Sequence, residues 1–319
     1  MPSLYPDIEP YETGMLDVGD GQRIYWEACG NPSGKPALML HGGPGSGCTP
    51  GMRRYFDPSA YRAILFDQRG SGRSLPHASD PAVDLSTNTT PHLLADIEAL
   101  RAHLRVERWV LLGISWGVTL GLAYAELHPE RVEAMVLALG GLTRPADIHW
   151  LYHGVGRYFP DAWARFRAGA GVSYLDANLV HAYRDLLASP DPAVREKAAC
   201  DWCEWEAAVI SIDPKAPRPA RYEDPRFRMV FARIVTWYFS HNAWLEDGQL
   251  LRDVGRLAGI PGVLVNGRLD LGGRRDAAEE RLLADAWPGS ELVVIENAGH
   301  ETSTPGVLES ILAALDRFA

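Results

Sequence analysis

The sequence predicts an α/β fold in which a mostly parallel central sheet carries helices on both faces. Short runs rich in β-branched and apolar residues alternate with helical segments along the 319 residues, which is typical of such sheets. Several of these runs are continuously apolar, as expected of strands that are buried on both faces. The strand signals stop in the middle of the chain and resume later, so we predict that an insertion interrupts the sheet.

The strand and helix predictions follow these runs in order. We predict strands at residues 23–29, 37–40, 63–66, 109–112, 134–139, 263–266 and 292–295, with a further strand near residues 15–18. Two helices, at residues 91–104 and 118–127, should flank the sheet. The first helix is expected to follow Thr90 as its N-cap, with Pro91 in its first position.

The insertion is predicted to be a helical cap over residues 143–247. Helical patterns rich in Trp and Tyr occur at residues 193–209 and 226–239, and the proline-bearing stretch 211–225 should break the cap into parts. Residues 1–142 and 248–319 would then form one α/β core. Most of the cap aromatics, including Trp150, Tyr152, Trp202 and Trp237, are expected to fill the interior of the cap.

Composition disfavours several classes of function. The chain has 41 acidic and 31 basic residues and a formal net charge of −10, which argues against binding to nucleic acid. No apolar run approaches the ~20 residues that a membrane-spanning helix needs. Residues 1–14 lack the basic start and apolar run of an export signal. We therefore expect a cytoplasmic protein that binds neither nucleic acid nor membrane.

The cysteines do not indicate a disulfide framework or a metal site. Four cysteines are too few to staple a chain of this length. Cys200 and Cys203 have the spacing of a redox or zinc pair, but no second pair or histidine cluster accompanies them. We predict that this pair serves helix packing, and we expect no metal and no other cofactor.

The strongest local signal is the motif Gly113-Ile114-Ser115-Trp116-Gly117, which lies between a predicted strand and a predicted helix. This G-x-S-x-G pattern is typical of the sharp turn that exposes the nucleophilic serine of α/β hydrolases. The glycines relieve crowding where the chain crosses itself, and the helix N-terminus favours developing negative charge. Ser115 is therefore the predicted nucleophile of a serine hydrolase. The alternative is an ordinary serine in a glycine-bounded turn.

A serine hydroxyl needs a base to take its proton and a carboxylate to orient that base, and in this fold they follow the serine in the order acid, histidine. His300 lies in a loop just after the last predicted strand, and Asp270 follows the strand before it. We predict His300 as the base and Asp270 as the acid. The alternatives for the acid are a loop salt bridge of Asp270 with Arg268, Arg274 or Arg275, and a catalytic role for Asp276.

Catalysis also requires backbone amides that stabilise the negative oxygen of the tetrahedral intermediate. The segment His41-Gly42-Gly43-Pro44-Gly45 follows a predicted strand, and its glycines allow close approach of a substrate. We predict that the amides of Gly43 and Trp116 form this oxyanion hole. The glycine-rich loop matches neither the P-loop nor the dinucleotide-binding pattern, so nucleotide binding is disfavoured.

Three motifs together resemble the prolyl aminopeptidases, also called proline iminopeptidases. They are HGGPG at residues 41–45, DQRGSGRS at residues 67–74 and GISWG at residues 113–117, and the resemblance extends over most of the chain. It implies an α/β-hydrolase fold with a helical cap, and metal-independent removal of an N-terminal proline from peptides. It also implies that acidic side chains of the cap bind the free amino end of the substrate.

Within this resemblance, Trp205-Glu206 matches the Trp-Glu of the family's cap, so Glu206 is the expected partner of the substrate ammonium. The chain departs from the family pattern at Val235, where family members carry a second glutamate, and at the neighbouring Thr236-Trp237. The segment 271–274 differs as well. An esterase or amidase with a changed cap is therefore one alternative to a peptidase, and a binding protein that has lost hydrolysis is another.

Overall fold

In the computed structural model, which describes residues 4–172, 178–211, 218–272 and 277–319, a sheet of eight strands runs through the molecule. The strands are β1 (Glu12–Asp17), β2 (Arg23–Gly30), β3 (Lys35–Leu40), β4 (Tyr61–Phe66), β5 (Trp109–Ile114), β6 (Val132–Ala138), β7 (Gly262–Gly267) and β8 (Ser290–Ile295). Their order in the sheet is β1-β2-β4-β3-β5-β6-β7-β8. The pairs β1·β2 and β2·β4 are antiparallel, and all other pairs are parallel. The predicted fold class is confirmed.

Helices cover both faces of this sheet because alternate side chains of each strand point to opposite faces. In β3, Leu38 and Leu40 contribute to one apolar layer, whereas Ala37 and Met39 contribute to the other. The first layer is closed by α1 (Thr90–His103) and α2 (Trp116–Leu127). The second layer is closed by the C-terminal helix, residues 307–318.

The first helix begins one residue earlier than predicted. Thr89 is the N-cap, Thr90 is the first helical residue, and Pro91 occupies the second position. The Thr90 hydroxyl donates a hydrogen bond to the carbonyl of Ala243, 2.6 Å away, and does not cap the helix. The Thr90 side chain, which the sequence pattern predicted to cap the helix, therefore bonds to a residue far away in the sequence.

The helical insertion lies between β6 and β7. Its helices are α3 (Pro145–Tyr152), α4 (Pro160–Gly169), α5 (Leu179–Leu187), α6 (Pro192–Ile210) and α7 (Pro225–Ser240). They pack around their own apolar cluster, in which Tyr152, Phe166 and Trp202 are buried. Past the insertion come α8 (Gln249–Asp253), α9 (Ala277–Ala286) and α10 (Val307–Phe318). The limits 143 and 247 of the cap stay predictions.

Two further predictions concern the insertion. Residues 212–217 of the predicted proline-bearing break lie outside the described residues, and Ala220–Glu223 forms a short 3-10 helix. Cys203 is buried in the apolar cluster of the insertion, as predicted for helix packing, and Cys200 is partly exposed.

Within the described ranges no group of His, Cys, Asp or Glu side chains could hold a metal ion, and no helix is both long and apolar enough to cross a membrane.

Candidate active site

Ser115 occupies a strained turn between β5 and α2. Its backbone has φ 58° and ψ −120°, in the positive-φ region that side chains other than glycine rarely adopt. Gly117 packs directly against the carbonyl of Leu40, so a Cβ atom at this position would collide with that oxygen. The turn is held by the Ser115 amide, which donates to Ala138 at 3.0 Å, and by the Val118 amide, which donates to Ser115 at 2.9 Å. Such strain is typical of functional positions.

The structure brings the three predicted catalytic side chains together. The Nε2 atom of His300 lies 3.0 Å from the Ser115 hydroxyl oxygen, and its Nδ1 atom lies 2.8 Å from Oδ2 of Asp270. Because a carboxylate can only accept, Nδ1 carries the hydrogen and Nε2 is left to accept from the serine hydroxyl. Asp270 follows β7 and His300 follows the adjacent parallel strand β8, so both residues meet at one edge of the sheet.

The sequence left open a salt bridge of Asp270 with a nearby arginine and a catalytic role for Asp276 in its place. Arg268 pairs with Glu296 at 2.9 Å. Arg274, Arg275 and Asp276, which the sequence offered as salt-bridge partners and as a rival acid, lie outside the described residues.

Electrostatics favour the charged form of His300. Burial lowers the pKa of His300, but the charge of Asp270 and its hydrogen bond act in the opposite direction, and Glu206 adds to them. The result is a pKa above the ordinary value of the imidazole. A base with this property accepts a proton readily, which is the requirement for activating a serine hydroxyl.

The two predicted oxyanion donors face the same small pocket as Ser115. Gly43 follows β3 and has φ +113°, and Trp116 is the first residue of α2. The first amides of a helix have no partner within it. In the part of the chain that the structure describes, neither the Gly43 amide nor the Trp116 amide donates to another protein group. Both amides are thus available to an oxygen bound beside Ser115.

This pocket, which we call the Ser115 pocket, has a volume of about 80 Å³ and contains the Glu206 side chain. Glu206 is buried, and its Oε1 atom accepts a hydrogen bond of 2.8 Å from the Tyr152 hydroxyl. Burial raises the pKa of Glu206, whereas the hydrogen bond from Tyr152 and the nearby His300 partly oppose that rise. Burial and the Glu206 charge likewise raise the pKa of Tyr152, so its hydroxyl keeps its proton.

The sequence reasoning missed one residue that contacts Glu206 from behind this pocket and one that lines the pocket itself. Tyr152 was assigned to the cap interior, where its ring does pack, but its hydroxyl also contacts Glu206. A buried tyrosine hydroxyl needs a partner, and that was the available signal. Asp147 on α3 also lines the pocket, and its carboxylate accepts from the amide of Arg144 at 2.9 Å. Nothing in the sequence singled it out.

Val235, where the chain departs from the family pattern, lies away from this pocket. Val235 is buried in the apolar cluster of the insertion and does not line the Ser115 pocket. The neighbouring Trp237 donates its indole N–H to the Asn88 carbonyl at 2.9 Å, at the junction of insertion and core. Among the described residues, Glu206 is therefore the one predicted amine-binding acid that lines the Ser115 pocket.

A serine on a strained strand-to-helix turn that contacts a histidine, which in turn contacts an aspartate, defines an α/β hydrolase when both partners follow later strands of the sheet. In agreement, residues 35–304 match the family model described as alpha/beta hydrolase fold. The chain is 53% identical over 321 residues to a probable proline iminopeptidase of Streptomyces coelicolor, covering 99% of this chain and 98% of that protein. It is 44% identical over 320 residues to the proline iminopeptidase of Xylella fastidiosa strain Temecula1, covering 100% of both chains. The chain belongs to the proline iminopeptidase family, and the predicted resemblance is confirmed.

Solved structures share the fold at low sequence identity. The proline iminopeptidase of Mycobacterium smegmatis has a TM-score of 0.60 at 20% identity, covering 96% of this chain and 97% of that one. A bromoperoxidase from Bacillus anthracis has a TM-score of 0.64 at 16% identity, covering 96% and 99% respectively. At these identities the similarity concerns the fold alone.

Proposed function

We propose that this protein removes an N-terminal proline from peptides through an acyl-enzyme on Ser115. The observation that carries the proposal is the 3.0 Å contact between the Ser115 hydroxyl and His300 Nε2, made in a small pocket that also holds the Glu206 carboxyl group. The names of the full-length relatives support the choice of substrate.

The first half of the reaction is acylation. His300 Nε2 takes the hydroxyl proton while Ser115 Oγ attacks the prolyl carbonyl carbon, and Asp270 stabilises the imidazolium that results. The carbonyl oxygen becomes negative and accepts hydrogen bonds from the amides of Gly43 and Trp116. Collapse of this intermediate breaks the C–N bond, and His300 donates its proton to the leaving nitrogen.

The second half is hydrolysis of the prolyl ester. A water molecule gives a proton to His300 and attacks the ester carbonyl, and the same two amides stabilise the second oxyanion. The proton then returns from His300 to Ser115 as free proline leaves. All of these proton transfers pass through His300, to or from Ser115, the leaving nitrogen and the attacking water.

Glu206 supplies the specificity for a free amino end in this proposal. Burial disfavours the charged form of Glu206 and raises its pKa. A prolyl ammonium bound beside it would form a charge-assisted hydrogen bond and would stabilise both ionised groups. An N-acylated substrate offers no charge and would leave the buried carboxyl group poorly matched.

The sizes of the cavities support a compact acyl group with an extended leaving group. A pocket of about 80 Å³ favours a single small residue such as proline. A wider cleft of about 770 Å³ shares Val209 and Ile210 with it and includes Glu301, next to His300. The His300 amide donates to the Ile210 carbonyl at 3.2 Å, so this shared wall lies against the base. We assign the wider cleft to the remainder of the peptide.

The cytoplasmic location of the protein stays a prediction.

A substrate panel tests the proposal. We expect proline arylamide and Pro-X dipeptides to be hydrolysed with a kcat/KM far above that of N-acetylproline arylamide and short acyl esters. A much larger kcat/KM on the esters would favour an esterase with a changed cap. Tight binding of proline peptides without release of proline would favour a binding protein that has lost hydrolysis.

A further inference from the structure

Gln68 connects the two segments that carry the oxyanion amides. It lies just beyond β4 and is buried. Its side-chain Nε2 donates to the His41 carbonyl at 3.1 Å, and its Oε1 accepts from the Trp116 indole N–H at 3.0 Å. His41 begins the loop that contains Gly43, and Trp116 directly follows Ser115. One amide group thus joins the glycine loop to the serine turn.

The backbone of Gln68 adds a third contact to the same loop. Its amide donates to Nε2 of the His41 ring at 3.0 Å, so this ring nitrogen must be the acceptor. The hydrogen of the ring is therefore on Nδ1, which donates to the Gly42 carbonyl at 2.9 Å. Burial lowers the pKa of His41, which favours this neutral form. The peptide unit just before Gly43 is thereby fixed relative to Gln68.

We propose that Gln68 is a positioning residue that sets the separation between the Gly43 and Trp116 amides. The inference rests on the proposed function, because it concerns the oxyanion hole assigned there. Two donors are effective only when both lie about 2.7–3.1 Å from the same developing oxyanion. The Gly43 and Trp116 amides each belong to a segment that is hydrogen-bonded to Gln68. A change in the Gln68 side chain therefore moves one amide relative to the other.

The chemistry of glutamine suits this role because its side chain is a donor and an acceptor in one planar group. Glutamate of the same length would still accept from Trp116 but would place an acceptor against the His41 carbonyl. Methionine would fill the volume without either hydrogen bond. Trp116→Phe would remove only the indole N–H and leave the backbone amide of that residue in place.

The test compares two ligands of the intact protein. A proline aldehyde forms a hemiacetal with Ser115 whose oxygen occupies the oxyanion hole, whereas pyrrolidine keeps the ring and the ammonium but has no oxygen to place there. We expect Gln68→Met and Gln68→Glu to weaken aldehyde binding by about tenfold or more, with little change in the inhibition constant of pyrrolidine. Trp116→Phe should act in the same direction. Because they share one hydrogen bond, the effects of Trp116→Phe and Gln68→Met should be less than multiplicative in the double variant.

A matched control distinguishes positioning from loss of stability. Tyr238→Phe removes a buried hydrogen bond to Asn88 in the same region and keeps the ring that packs against Trp116. It should lower the melting temperature without changing the ratio of aldehyde to pyrrolidine affinity. If Gln68→Met or Gln68→Glu folds and leaves the ratio of aldehyde to pyrrolidine affinity unchanged, the inference is overturned. If neither variant folds, an unchanged ratio in Trp116→Phe overturns it. Failure of the wild type to bind the aldehyde would instead overturn the proposed function.

Discussion

The hydroxyl of Tyr152 donates a hydrogen bond of 2.8 Å to the carboxyl group of Glu206, which lines the Ser115 pocket. Tyr152 ends α3 and Glu206 lies in α6, so the contact joins two helices of the insertion beside the Ser115 pocket. Both side chains are buried, which makes the protonation state of this pair sensitive to what the pocket contains.

Glu206→Gln should reduce kcat/KM for proline arylamide by about thirtyfold or more, because loss of one partner of a buried charge pair costs about 2–5 kcal/mol. N-acetylproline arylamide, which lacks the ammonium, should show no comparable loss. Steady-state kinetics on both substrates checks this. Glu196→Gln is the matched control, since Glu196 lies on the same helix but pairs with Arg228 and lines neither the Ser115 pocket nor the wider cleft. Equal losses on both substrates would remove Glu206 from amine recognition.

Tyr152→Phe should move the acid limb of the pH profile for proline arylamide to higher pH. The Tyr152 hydrogen bond lowers the pKa of Glu206, so its removal raises that pKa and leaves more of the carboxyl group neutral at a given pH. Activity lost near neutral pH should return as the pH rises. Tyr183→Phe, which removes a buried hydrogen bond to the Phe166 carbonyl, should leave the profile in place. A pH-independent loss in Tyr152→Phe would contradict this coupling.

The titration of His300 should appear in kcat/KM as an acid limb above the ordinary imidazole value. Only neutral His300 can accept the Ser115 proton, and the Asp270 charge raises the pKa of His300 against the effect of burial. Asp270→Asn should lower kcat by about 10⁴-fold. Its residual activity should titrate at lower pH than the wild type. A limb that stays in place or moves upward would separate Asp270 from the base.

Glu126 offers a test of stability that is independent of catalysis. It lies near the end of α2 with neither carboxylate oxygen hydrogen-bonded in the structure, and burial raises its pKa to about 8. The folded-state pKa is above the unfolded value, so ionisation opposes folding as the pH rises between the two. Relative to wild type, Glu126→Gln should gain about 1.4 kcal/mol of unfolding free energy per pH unit in that window and level off above it.

Urea denaturation of wild type and Glu126→Gln at several pH values between 5 and about 9 checks this. Glu107→Gln, at an exposed position, serves as the control and should show no such dependence on pH. A difference between wild type and Glu126→Gln that stays constant with pH would mean that the carboxyl group is not neutral at pH 7.

The sequence predicted those parts of the site that depend on local geometry and strand order. Ser115 could be recognised because its turn requires glycines at fixed offsets, and His300 because it follows the last strand of the sheet. Tyr152 and Gln68 could not be assigned, since their roles depend on which side chains of other elements they meet. The same limit applies to Val235, whose burial in the insertion is a property of helix packing.

The role of Ser115 can be tested by covalent labelling with a proline-derived phosphonate, followed by mass spectrometry of the peptide that contains it. We predict that the wild type is modified at Ser115, that excess proline slows the modification, and that Ser115→Ala is neither modified nor active. Hydrolysis of proline arylamide by Ser115→Ala at the wild-type rate, or an active wild type whose Ser115 stays unmodified while another residue is labelled, would contradict the proposed mechanism.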